Sequence, residues 1–68
     1  VIYDVVVDVA VARPPTPENT RQIYVRVAVD GEPGFLADNE AMLTAAVMAA
    51  GRAGVVMPLA TRIERVIL

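Results

Sequence analysis

Residues 2–12, IYDVVVDVAVA, decide the fold. Tyr3, Val5, Val7, Val9 and Val11 recur at every second position, so an extended chain carries them all on one side. Asp4 and Asp8 fall on the other side, together with Val6 and Ala10. β-Branched side chains are restricted at χ1 and pack well on a pleated surface, which favours strand over helix here. One wholly apolar face beside one mixed face describes a strand with a core on one side only. No other stretch of the chain is as apolar at this period, so this strand is predicted to be central.

Working outward, residues 13–20 read RPPTPENT. Three prolines remove backbone donors and fix φ, so this segment cannot pair in a sheet. It reads as a stiff hairpin loop. Its P-x-x-P spacing is also that of a polyproline ligand, but the segment is short and lies between two strands. Residues 21–30, RQIYVRVAVD, alternate again. Ile23, Val25, Val27 and Val29 form one face, and Gln22, Tyr24, Arg26, Ala28 and Asp30 form the other. The two strands therefore make an antiparallel hairpin with one shared apolar face.

Residues 31–35, GEPGF, form a turn, and a helix is predicted over about residues 37–51. Asp38 or Asn39 suits the N-cap, Glu40 suits the first turn, and Gly51 or Gly54 suits a left-handed closing residue. On a helical wheel Met42, Leu43, Ala46, Ala49 and Ala50 group on one side. Glu40 and Thr44 lie opposite, yet Val47 and Met48 stand close to that polar face. A helix this apolar around its circumference is usually covered on more than one side. After it, Pro58 bars helix, and an edge strand is predicted near residues 60–67. Leu59, Thr61, Ile63, Arg65 and Ile67 share one parity; Ala60, Arg62, Glu64, Val66 and Leu68 share the other.

The expected architecture is a single α+β domain over residues 1–68. Its order is β-β-α-β, with a three-stranded antiparallel sheet in strand order 2-1-3 and one helix packed on one face by a right-handed crossover. The second sheet face stays open and carries Asp4, Val6, Asp8, Tyr24, Arg26 and Arg62.

Composition limits the chemistry. The chain of 68 residues has no His, Cys or Trp, and reading along it shows no Ser and no Lys, so its basic residues are all Arg. Neither a serine triad, a cysteine–histidine pair nor a Schiff-base lysine can be assembled. Thiolate and imidazole metal ligands are missing as well. Asp30, Glu32, Asp38 and Glu40 cluster around the turn but match no calcium-loop spacing. The reading is non-catalytic, with no catalytic residue, metal, cofactor or small-molecule substrate. The net charge is −2 and the isoelectric point about 4.8, which argues against a nucleic-acid partner. Apolar runs are too short to span a bilayer, and no charged segment precedes an apolar one, so a cytoplasmic protein is expected.

Small domains bury too little surface to be generously stable, and those without disulfide or metal usually rely on association. Val47, Met48, Val66 and Leu68 are surplus apolar residues and form the expected interface, with a second copy or a protein partner. Tyr24 beside Arg21, Arg26 and Arg62 is the alternative binding face, of a kind that stacks bases and neutralises phosphates. Against it stands the expectation that Asp4 and Asp8 pair with arginines of the flanking strands. Gly51-Arg52-Ala53-Gly54 has a GxxG spacing, but a proline-marked strand follows it, so it reads as a helix terminus.

Residues 40–68, EAMLTAAVMAAGRAGVVMPLATRIERVIL, combine an Ala/Met-rich helix, a Gly-bearing turn, Met-Pro and an apolar last strand. This stretch resembles the C-terminal half of small proteins of unknown function encoded by actinobacterial phages. The resemblance implies a phage accessory or virion-associated protein that acts by binding, in the host cytoplasm or the virion. It implies no catalytic residue.

Overall fold

The computed structural model describes every residue except Ala53 and Leu68. It contains β1 (Ile2–Ala10), β2 (Thr20–Ala28), α1 (Phe35–Ala50) and β3 (Met57–Ile67). The strands form one antiparallel sheet in the order β2-β1-β3, and α1 covers one of its faces. The α+β architecture and the 2-1-3 order are those expected from the alternation.

The β1–β2 pairing is regular along its whole length, from Ile2 opposite Ala28 to Ala10 opposite Thr20. A tight loop holds that register. Asn19 Oδ1 accepts from the Thr16 amide at 2.9 Å, and Asn19 Nδ2 donates to the Pro14 carbonyl at 3.0 Å. At the other end the Val1 amino group donates to the Val29 carbonyl at 2.9 Å, and the Val29 amide donates to the Val1 carbonyl at 2.8 Å.

β3 departs from simple alternation. Arg65 lies opposite Asp4, Ile63 opposite Val5, Arg62 opposite Val6 and Ala60 opposite Val7. The two register shifts leave Glu64 and Thr61 as extra residues, which is the signature of bulges. Each bulge reverses the parity downstream of it. Ala60 and Ile63 therefore both reach the core, although their numbers differ in parity. Thr61 turns its hydroxyl onto the Val6 carbonyl at 3.1 Å and satisfies that backbone acceptor inside the irregular stretch.

The core lies between the helix and the sheet. Tyr3, Val5, Val7 and Val9 from β1 and Val25 and Val27 from β2 meet Ala37, Ala41, Ala45 and Ala49 from α1. The alanines recur every fourth residue and make a smooth stripe that sits close against bulky sheet side chains. Of the wheel side favoured from sequence, only Ala49 belongs to this stripe, while Met42 packs half-buried against the core. Leu43 is instead 69% exposed. The valines and Tyr3 already fill the space between the layers, so the helix contributes mainly its small residues there, with Met42 at the margin, and turns Leu36, Leu43 and Val47 out.

The helix also begins a turn earlier than Asp38 or Asn39 as N-cap requires. Gly34 is the capping residue, without a side-chain cap, and Asp38 sits inside the first turn with its amide on the Gly34 carbonyl at 2.8 Å. A carboxylate there faces the positive end of the helix dipole. At the C-terminus Gly51 stays right-handed, with φ −77°. Gly54, with φ 81°, is the residue that takes the left-handed conformation and turns the chain toward β3.

Candidate interaction site

Three surfaces stand out: the open sheet face, the outer face of α1 and the free edge of β2. On the open face, Tyr24, Val6 and Arg62 lie in one cross-strand row, and Arg26, Asp4 and Arg65 in the next. Asp4 receives both neighbouring arginines. Arg26 Nε donates to Oδ1 at 2.8 Å and Arg26 Nη2 to Oδ2 at 3.2 Å. Arg65 Nε and Nη2 reach Oδ2 at 3.2 and 3.0 Å. The hydrogen bonds from Arg26, then those from Arg65 and the two positive charges, hold the Asp4 carboxyl below its ordinary value against the opposing effect of partial burial. The same contacts raise Arg26.

The expected pairing of Asp4 with flanking arginines is therefore present, but Arg65 takes the place expected of Arg62. Sequence parity missed Arg65 because the bulges bring residues 59, 62 and 65 to the same face. Arg62 bonds Glu64 on its own strand at 3.2 Å. Asp8 lies opposite Gln22 and Leu59 rather than arginines, and its buried Oδ1 lacks a hydrogen-bond partner. Arg21 does not join Tyr24 and Arg26. It lies opposite Val9 and shares the parity of Ile23 and Val25, on the helix side. Val6, counted from sequence on the open face, is fully buried there.

A broad hollow of about 630 Å³ opens over this face, lined by Asp4, Tyr24, Arg26, Glu64 and Arg65. It has an exposed aromatic ring, but its cations are already engaged by carboxylates. Phosphate binding would have to displace those partners.

The outer face of α1 is different in kind. Leu36, Leu43 and Val47 are spaced by seven and four residues, so at about 100° per residue they form one line along the helix, with the exposed Asn39 and Glu40 beside the gap between Leu36 and Leu43. That line lies opposite the buried alanines. Leu36 is 81% exposed and Val47 64% exposed, and Phe35 beside them is 79% exposed. Met48, at 48%, lies on the flank. Sequence reasoning singled out Val47 and Met48 but missed Phe35, Leu36 and Leu43, because hydrophobicity alone assigns a leucine to the core before an alanine.

Val66 does not join Val47 and Met48. It lies opposite Tyr3, which packs near Asp38 at the start of the helix. Val47 is nine residues further along, about 13 Å at 1.5 Å per residue. Leu68, the fourth expected interface residue, lies outside the described residues.

Among the described residues no helix is long and apolar enough to cross a membrane, and no three or more acidic residues gather in a geometry able to hold a metal ion. The chain matches no protein-family model, no curated protein and no solved structure.

Proposed function

We propose that this protein is a non-catalytic protein-binding or self-assembly module whose docking surface is the outer face of α1. One observation carries the reading: the helix buries its alanines and presents Phe35, Leu36, Leu43 and Val47 to solvent. That side also carries the exposed Asn39 and Glu40, but a helix that only had to cover a sheet would have no need of four large apolar side chains in solvent. Large exposed apolar side chains concentrated on one face of a small domain, even with Asn39 and Glu40 among them, are the mark of a surface that meets another protein. The similarity of residues 40–68 to small phage proteins accords with an accessory or virion-associated role, and the reading does not depend on it.

The test is light scattering over a dilution series on the wild-type chain and on Leu43→Glu. Concentration-dependent association that Leu43→Glu reduces supports the reading. Solubility and mass that are identical in the two proteins overturn it. Nucleic acid on the open sheet face is the alternative, carried by Tyr24, which is 63% exposed. Titration with short RNA and DNA at low salt, where electrostatic attraction is least screened, tests it; no binding there removes it.

A further inference from the structure

The two edges of the sheet are built differently. The β3 edge carries Pro58, two bulges, and the charged residues Arg62, Glu64 and Arg65. These are the features by which proteins keep an edge from pairing with another strand. The β2 edge has none of the first two. It is a regular strand of nine residues, free of proline and of bulges.

The hydrogen-bonding phase of that edge follows from its ends. Val29 exchanges both backbone bonds with Val1, and the Val11 amide donates to the Asn19 carbonyl. Odd-numbered residues of β2 therefore face β1, because the register between them is unbroken. Thr20, Gln22, Tyr24, Arg26 and Ala28 direct their amides and carbonyls outward. These five residues each offer one donor and one acceptor, and among the described residues none of those groups has a partner.

We infer that the β2 edge pairs with the β2 edge of a second copy, antiparallel and centred on Tyr24. Thr20–Ala28 has Tyr24 at its midpoint, so this register alone uses the whole strand. It sets Tyr24 opposite Tyr24 of the second copy, Gln22 opposite Arg26, and Thr20 opposite Ala28. No like charges meet, whereas a shift that centred the pair on Arg26 would oppose two arginines. The pairing is isologous and closed, and its axis stands perpendicular to the sheet. It gives a six-stranded sheet with both helices on one face, so the outer stripes of α1 remain clear. This interface is separate from the helix surface and does not rest on it.

Because the chain has no cysteine, single-cysteine variants report the register directly. Directly opposed residues of a hydrogen-bonded antiparallel pair lie about 5.5 Å apart at Cα, within disulfide reach. Tyr24→Cys is expected to cross-link to itself under mild oxidation. Arg26→Cys alone is not, since its copy lies four residues further along, about 14 Å away. A mixture of Gln22→Cys and Arg26→Cys is expected to form the mixed disulfide. Gln22→Pro removes an outward amide without removing a bond to β1, so in a Leu43→Glu background, where the helix surface no longer associates, it is expected to lower the mass to a single 7.2 kDa chain. Circular dichroism establishes that this variant is folded. Equal cross-linking of Tyr24→Cys and Arg26→Cys, or no cross-linking in either, overturns the proposal. Association that is reduced but not abolished in Leu43→Glu, with the Tyr24→Cys cross-link retained in that background, would show that the helix surface and the strand edge act separately.

Discussion

The orientation of α1 can be tested by exchanging sizes on its two faces. Ala45 is fully enclosed between the helix and the sheet, while Leu43 is 69% exposed on the opposite side. Ala45→Leu adds three carbon atoms to a packed layer, and overpacking of this kind costs about 1–3 kcal/mol. In a domain of this size each kcal/mol lowers Tm by about 4–8 °C. Leu43→Ala removes a side chain with about a third of its surface buried. Full burial of a leucine contributes about 1.5–3 kcal/mol, so the loss is about 0.5–1 kcal/mol, offset by a few tenths from the better helix propensity of alanine. Were Leu43 in the core, truncation would cost about 2–5 kcal/mol. Urea unfolding followed by circular dichroism separates these cases through the midpoint at constant slope. The measurement belongs at high dilution, where association no longer adds stability by mass action. A loss above about 2 kcal/mol in Leu43→Ala, with Ala45→Leu unchanged, would refute the orientation and with it the docking surface.

Two titratable groups make further predictions. The folded-state pKa of Asp4 lies below its ordinary value of 3.8, so its stabilising contribution is present above that pH and is lost as pH falls through the lower folded value. The Tm difference between wild type and Asp4→Asn is therefore expected to be full at neutral pH and to shrink in acid below 3.8; a difference independent of pH would contradict the clamp. Tyr3 behaves in the opposite sense. Burial first, and the neighbouring Asp38 carboxylate second, hold its phenol above the ordinary value of 10.0, so stability is complete below that pH and falls as pH rises from it toward the folded value. Its enclosed hydroxyl lies near the Asp38 carboxylate and the Gly34 backbone but forms no well-aligned hydrogen bond with either, so Tyr3→Phe is expected to be at least as stable as wild type at neutral pH and to lose that alkaline component. A clear drop in Tm for Tyr3→Phe at neutral pH would show that the hydroxyl is bonded.

Much of this molecule is legible along the chain. The alternation in residues 2–12 and 21–30 is local and has a period of two, so it specifies two strands and their shared core face, while their pairing register is read only from the structure. Pro14, Pro15 and Pro17 mark the loop, and the Ala-rich run marks the helix, for reasons held within single residues. The lack of His, Cys, Ser and Lys narrows the available chemistry from composition alone.

Tertiary structure decided the rest. Parity along β3 is set by where Glu64 and Thr61 bulge against β1, and that depends on fitting an irregular strand to a regular one. The bulges placed Arg65 rather than Arg62 on Asp4, which left Arg62 to Glu64. Likewise the helix could turn several apolar arcs toward the sheet, because its hydrophobic residues surround it. The choice fell to volume. Once Tyr3 and the valines of β1 and β2 occupy the layer, only the line of Ala37, Ala41, Ala45 and Ala49 fits closely against them, and Leu36, Leu43 and Val47 are left facing outward.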